Sequence, residues 1–495
     1  MLRSEVIKQG FYDSIRSLFD AAGFQVFRDS LDQDPVVSVR RNPSKEYRPS
    51  DGSPTPHEYI RLGDDSHRTD LTGVPWAQHG YYLDERPYFT HDPSFHAGGY
   101  YVQDASSQII GSIIGQLKQD LSMDRVLDMC AAPGGKTTDM LSALGRASLI
   151  VANEFVFKRA LILKENIIKW GYENVVVVNS DPQAFEKLPE YFDCILVDAP
   201  CSGEGLFRKD EEAIDQWSPE YVELCARRQK KILDSAWQTL KPGGVLLYST
   251  CTYNRTECED IVEWLIQEHG ASNVPIDTEE YMTQGVVVGD VDGITTLRFF
   301  PHKLKGEGFF VAIMQKPQSN ELALSRSSQS TRLPSNTSGR ELVERGSRKS
   351  KERNLELTAV VLPLAPWLKN SDAFSQFIRG DDIFIFPKTY TEDLNALSQN
   401  IHVVYAGVHI AEKKRKTYVP AHPLAVSIIL NQDAFPHLDL DKDQAITFLK
   451  KETLMLPTAT GGMTLMTYHG LPLGFANILS DRVNNLYPKE WRILK

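Results

Sequence analysis

Between residues 121 and 316 the chain alternates short apolar runs with helix-spaced segments, and that alternation leaves few folds open. The runs 125–129, 148–153, 174–179, 192–198 and 244–250 have strand length. Helical stretches such as 158–170 lie between the first four, and a longer one, 219–240, precedes the fifth. That longer helix is expected to stop at Lys241-Pro242-Gly243-Gly244, a combination that ends a helix and turns the chain. Strands and helices alternating in this way imply a parallel, doubly wound α/β sheet of Rossmann-like type. Two further strands, near 295–300 and 309–315, are expected as an antiparallel pair at the sheet edge, because the connection between them is short.

The flanks differ in character. Residues 1–120 read as a mixed α/β region: Phe11, Ile15, Leu18 and Phe19 recur at helical spacing, a strand holding Val36, Val37 and Val39 ends at Arg41-Asn42-Pro43, and 103–118 forms a further helix. Residues 317–356 are rich in Ser, Arg, Asn and Lys and read as a flexible linker. From 357 to 495 apolar patterning returns as a small α/β or mostly β module. Three domains suit 495 residues at roughly 100–200 each. No apolar run approaches the ~18 residues of a membrane span. Arg3, Glu5 and Lys8 stand where a signal peptide would be apolar, so a cytoplasmic protein is expected, with no membrane partner.

The first apolar strand runs into Cys130-Ala131-Ala132-Pro133-Gly134-Gly135-Lys136-Thr137, followed by a helix. A glycine turn there lets backbone approach a ligand. A phosphate-binding P-loop would need glycine five positions before Gly135, where Cys130 stands, and the G-x-G-x-x-G spacing of a nicotinamide dinucleotide site is absent. The remaining readings are an S-adenosylmethionine site and a turn with no ligand. Glu154, at the end of the second strand, is placed to accept from ribose hydroxyls, and Asp181, after the third, to meet an adenine amine. Polar groups ending three strands in series favour a ligand along the carboxyl edge of the sheet.

The fourth strand ends in Asp198-Ala199-Pro200-Cys201 and the fifth in Ser249-Thr250-Cys251. If these strands are neighbours, the two thiols face one another across one cleft. Cys130, Cys194, Cys225 and Cys258 read as inert core residues. No C-x-x-C pair occurs, so no metal site is expected.

The segments 130–137, 198–210 (DAPCSGEGLFRKD) and 248–253 (YSTCTY) resemble the motifs of the NOL/NOP/Sun family of RNA 5-methylcytosine methyltransferases. The likeness extends through 103–107, 298–303 and 306–310. It implies a class I methyltransferase sheet with S-adenosylmethionine as cofactor. It implies Cys251 as a nucleophile toward carbon 6 of cytosine, and Cys201 as the group that assists proton removal and enzyme release. It also implies Asp198 as the group that carries a proton to ring N3, its pKa raised by burial. Lys136 would hold cofactor or catalytic groups, or form a structural salt bridge. The C-terminal Gly474-Phe475-Ala476-Asn477 and 484–492 resemble the PUA-like RNA-binding module of RsmF-type bacterial rRNA methyltransferases, which directs the substrate expectation to small-subunit ribosomal RNA.

The net charge of −11 argues against a protein that coats nucleic acid, but local basic patches remain. Arg40 and Arg41, Arg227-Arg228 with Lys230-Lys231, and Lys413, Lys414, Arg415 and Lys416 are candidates, the first and last groups being expected at RNA phosphates. Transfer RNA is the alternative substrate within the class, and a monomer is expected. A non-catalytic RNA-binding assembly factor would not need the cofactor loop, Asp198 and both cysteines together. Methylation of a protein or small molecule would give two facing thiols no use.

Overall fold

The computed structural model describes residues 2–45, 72–318, 363–415, 417–454, 456, 461–480 and 482–494. The expected linker, but for its first two residues, lies outside them, as does Lys416.

An N-terminal sheet comprises β1 (Val37–Arg41), β2 (Gly80–Leu83) and β3 (Tyr100–Val102) in the order β2-β1-β3. The central sheet takes β4 (Arg125–Asp128), β5 (Leu149–Asn153), β6 (Val175–Val178), β7 (Phe192–Asp198), β8 (Leu240–Thr250), β9 (Ser272–Asn273), β10 (Val287–Val291), β11 (Ile294–Phe299) and β12 (Phe309–Gln315). Its order is β10-β11-β12-β8-β7-β4-β5-β6, with β9 on β12. Strands β4 to β8 run parallel to their neighbours within that group. The chain winds outward from β4 in both directions, and the crevice past the carboxyl ends at that reversal is where such sheets bind ligands.

The helix Pro219–Thr239 ends just before Lys241-Pro242-Gly243-Gly244, as expected, but the fifth strand begins earlier than residue 244 and takes in that turn. The turn is carried inside β8 as an irregularity, since Phe192 faces Leu240 while Cys194 already faces Val245. Gly243 takes φ +76°, a conformation that glycine tolerates, and its N–H donates to Lys316 O at 2.7 Å. The antiparallel pair is β11 and β12, but β12 lies inside the sheet against β8, and β10 forms the outer edge.

The N-terminal helices Gln9–Ile15 and Ala21–Ser30 pack on the two loops that follow β7 and β8. Phe11, fully buried, meets Phe207 at 5.1 Å and Trp217 at 6.0 Å between ring centroids, and Phe27 meets Tyr253 at 5.1 Å. These aromatic contacts fix the N-terminal region to the carboxyl edge of the sheet.

The C-terminal stretch holds two sheets. The first holds β13 (Phe374–Arg379), β14 (Asp382–Pro387), β16 (Val408–Lys414) and β17 (Thr417–Pro420), while β15 (Val403–Ala406), between them in sequence, leaves to join the central sheet antiparallel to β6. The second holds β18 (His437–Asp439), β19 (Gly462–Tyr468), β20 (Leu471–Ile478) and β21 (Val483–Asn485). Ile383, Ile410, Leu465 and Phe475 make a core common to both. Gly171 marks the seam with the central unit: its φ is +90°, and a Cβ there would stand 2.5 Å from Val426 O. Among the described residues no helix is long and apolar enough to cross a membrane.

Arg40 is not a surface residue. Only 2% exposed, it crosses from β1 to the helix Gly135–Leu144. Its guanidinium donates to Gln103 Oε1 (2.9 Å), Thr138 Oγ1 (2.7 Å) and Gly135 O (3.1 Å), pairs with Asp139 at 3.3 Å and lies over the Trp170 ring. A guanidinium so enclosed cannot reach RNA phosphates, so that expectation is corrected: Arg40 is a strut behind the glycine turn. Arg40→Leu leaves Asp139 buried without its cation and is expected to lower stability by about 3–5 kcal/mol in urea unfolding. The salt dependence of RNA binding, which a phosphate-contacting arginine would reduce, should not change.

Candidate functional site

The glycine turn is held from outside. Asn166 Nδ2 donates to Pro133 O and Arg159 Nη2 to Ala132 O, both at 2.8 Å, and Ala131 N–H donates to Asn153 O at 2.7 Å. Gly134 has φ +114°, which only glycine adopts readily, and the helix begins at Gly135. Both carbonyls are thereby committed to the second βα unit. Cys130 lies at the head of the turn, with burial and the nearby carboxylates of Asp128 and Asp198 pushing its thiol well up.

Asp128, 1% exposed, accepts from Thr137 Oγ1 at 2.6 Å through one oxygen, while the other has no hydrogen-bond partner among the described residues. Burial pushes its pKa up from 3.8 to about 7. Glu154, nearly buried after β5, accepts from Val156 N–H at 2.8 Å and pairs with Arg159 at 3.4 Å. Asp181 is exposed and caps the short helix Pro182–Lys187 by accepting from Gln183 N–H. Phe155, Val156 and Phe157, just past Glu154, are exposed apolar residues that the sequence reading passed over.

The parallel register sets Asp198 opposite Ser249, and Ser249 Oγ donates to Asp198 Oδ1 at 2.8 Å. Lys136 Nζ donates to Asp198 Oδ2 at 2.8 Å and sits over the Phe309 ring. Burial pulls the Lys136 ammonium down, but Asp198, together with Cys251 and Asp128, more than offsets it, and the net shift is upward. The Asp198 side chain is 31% exposed. The expected burial of this carboxyl is therefore not found: it sits at the mouth of the cleft, tied to a cation.

Past these strand ends the thiols meet. Cys201 Sγ and Cys251 Sγ are 3.1 Å apart, both half-buried and unbridged. The Cys201 thiol is pushed well up, first by its hydrogen bond to Cys251 and then by burial. Cys194, Cys225 and Cys258 are fully buried elsewhere, and burial raises the first two to about 12 and about 11.

Three family models match in series along this architecture: the N-terminal domain of 16S rRNA methyltransferase RsmF at residues 7–105, 16S rRNA methyltransferase RsmB/F at 117–315, and the methyltransferase RsmF PUA domain at 435–493. The ribosomal RNA small subunit methyltransferase F of Klebsiella pneumoniae (strain 342) is 32% identical over 429 residues, 85% of this chain and 84% of that protein. The chain belongs to the RsmF family of rRNA methyltransferases. The Salmonella typhi protein of the same name is also 32% identical, over 432 residues. The crystal structure of PH0851 shares the fold, with a TM-score of 0.54 at 22% identity over 63% of this chain and 67% of that one. The RsmF family match divides the C-terminal stretch as the structure does, starting at 435, beyond the sheet that sends β15 to the central unit.

The basic candidates separate by exposure. Lys413, Lys414 and Arg415 are exposed on the β16–β17 hairpin, with Lys414 paired to Glu412. Arg227, Arg228 and Lys231 are exposed on the helix Pro219–Thr239, while Lys230 is half-buried over Trp264. Arg41 is half-buried. Sequence reasoning missed the buried acids Glu204 and Glu257 below the thiols. Glu204 falls inside the DAPCSGEG run, but a one-dimensional motif does not show which of its members is buried.

Because burial raises the pKa of Asp128, the folded protein holds a proton there that the unfolded chain releases. The contribution of Asp128 to stability should fall as pH rises from roughly 4 to 7, by at most about 1.4 kcal/mol per pH unit. Burial also raises Asp92 and Asp139, each to about 6, so urea unfolding at a series of pH values is expected to show a falling slope in both proteins, shallower in Asp128→Asn by up to that amount.

Proposed function

We propose that the protein is an S-adenosylmethionine-dependent RNA (cytosine-5) methyltransferase acting on small-subunit (16S) ribosomal RNA through a covalent bond between Cys251 and cytosine carbon 6. The observation that carries this reading is the contact of two half-buried thiols beside the Lys136–Asp198 pair. The donor set supports the cofactor. The turn Cys130, Ala131, Ala132, Pro133, Gly134 and Gly135 offers close backbone approach, and Lys136 with Asp198 borders it toward the thiols. Glu154 suits ribose hydroxyls and Asp181 an exocyclic amine, while Asp128 keeps a buried oxygen without a hydrogen-bond partner among the described residues. When bound, S-adenosylmethionine supplies a methyl group made electrophilic by its sulfonium.

Carbon 5 of cytosine is a weak nucleophile, and the residues correct this in two stages. The Cys251 thiolate bonds to carbon 6, and the electron pair displaced from the C5=C6 bond moves toward ring N3. The Lys136–Asp198 pair holds a proton at hand for N3, so the adduct is a neutral enamine nucleophilic at carbon 5. After methylation, the thiolate of Cys201 takes the carbon 5 proton, the C5=C6 bond reforms as the Cys251–C6 bond breaks with its electron pair left on the Cys251 sulfur, and N3 returns its proton to the Lys136–Asp198 pair. A stacked cytosine cannot reach half-buried sulfurs, so the base must be unstacked, which favours loops and junctions of folded RNA. The PUA match and the exposed cations Lys413, Lys414 and Arg415 support phosphate contacts near that RNA.

Methyl transfer from labelled cofactor to small ribosomal subunits, to naked 16S rRNA and to transfer RNA tests the substrate, with base mapping of the product. Cys251→Ala is expected to lose roughly 10³-fold or more in rate. Cys201→Ala should instead accumulate a protein–RNA adduct that survives denaturing electrophoresis. Unchanged methylation by Cys251→Ala would reject the mechanism, and an adduct in Cys251→Ala but not Cys201→Ala would exchange the two roles.

A further inference from the structure

Beneath the thiols lie two carboxylates, Glu204 and Glu257, both 0% exposed and neither paired with Lys or Arg among the described residues. Glu204 follows Cys201 by three residues yet binds the other loop. Its Oε2 accepts from Thr252 Oγ1 (2.6 Å), Tyr253 N–H (2.8 Å) and Asn254 N–H (3.0 Å). Its Oε1 accepts from Trp217 Nε1 and Asn254 Nδ2, each at 2.9 Å. Glu257 follows Cys251 by six residues and likewise reaches across. It accepts from Ser202 N–H at 3.0 Å and from Gln229 Nε2 at 2.8 Å, and that same amide donates to Pro200 O. Asn254 Nδ2 also donates to Glu257, at 2.9 Å, and so joins the two carboxylates. Gly205 N–H donates directly to Cys251 O.

Each loop therefore carries the acid that fixes the other. We propose that Glu204 and Glu257 are positioning residues that act crosswise, Glu204 holding Cys251 for attack on carbon 6 and Glu257 holding Cys201 for release of the product. This rests on the roles given to the two thiols above. Geometry, not charge, is the contribution: the negative charge of Glu257 pushes the Cys201 thiol up, against activation. Carboxylates are needed because both oxygens of each meet only donors. Glutamine would turn an NH₂ toward N–H groups and open the clamp, with the volume of the side chain nearly unchanged.

Single-turnover kinetics with full-length protein and the RNA substrate separates adduct formation from release. Glu204→Gln is expected to slow formation about ten- to a hundredfold and leave release within about twofold. Glu257→Gln should do the reverse, accumulating adduct as Cys201→Ala does, although charge removal alone would favour the Cys201 thiolate. Calorimetric affinity for S-adenosylhomocysteine, expected within about twofold of wild type in both, reports an intact fold. If a glutamine variant loses that binding, Thr252→Val replaces Glu204→Gln and Gln229→Leu replaces Glu257→Gln, with the same directions expected. Equal slowing of both steps, or exchanged effects, overturns the proposal. Cys201→Ala in the same assay distinguishes the two failures. No adduct there rejects the thiol roles themselves, whereas an adduct there with none in Glu257→Gln rejects only the clamp.

Discussion

The parallel pairing of β7 with β8 is the constraint on which the site depends. With Asp198 opposite Ser249, both chains leave the sheet at the same height, and the segments Ala199–Cys201 and Thr250–Cys251 need only a few residues to bring sulfur to sulfur. A slip of one residue would send alternate side chains to the opposite face. Asp198 would then lose Ser249 and Lys136 together, and the cysteines would part. The slack that allows this register lies at the other end, where the Pro-Gly-Gly stretch of β8 bulges out against β7 and absorbs the exit from the helix Pro219–Thr239.

Much of this was legible in one dimension because the signals were local. Five apolar runs separated by helical spacing define a parallel sheet, and a thiol just past each of two neighbouring strands defines a cleft. The glycine turn followed from where a strand ends, while the roles expected of Asp198 and Lys136 came from the family resemblance. What stayed hidden depends on tertiary environment. Arg40 and Arg41 look alike in sequence, yet β1 turns the first into a cavity among Gln103, Thr138, Asp139 and Trp170. Asp198 was expected to be buried because of its chemistry, while the backbone sets it at the rim. Glu204 and Glu257 gave no periodic signal, since their partners are amides and side chains scattered from 3 to 55 residues away. The unbroken Val175–Val178 did hold a clue: a strand apolar on both faces is seldom an outer one.

The regions outside the sheet are not appendages. The rings of Phe11 and Phe27 rest on Phe207, Trp217 and Tyr253, within or just beyond the loops that hold the thiols, so the N-terminal helices share in setting the geometry there. Trp217 also donates to Glu204, which connects that aromatic packing to the clamp. On the far side, Asn166 and Arg159 hold the glycine turn through the helix whose end at Gly171 meets the C-terminal region.

The antiparallel placement of β15 beside β6 bears on how the protein is made. Val403, Tyr405 and Ala406 satisfy the backbone of Val178, Val177 and Val176, residues synthesised more than 220 positions earlier. While a ribosome is still extending the chain, a nascent sheet complete through β12 leaves the valine-lined edge of β6 bare, a template for pairing with any neighbouring polypeptide. Closure of that edge must wait until the segment near residue 406 has left the exit tunnel. The order of translation thus makes the C-terminal region a late-arriving cover for the catalytic unit, built into the same molecule.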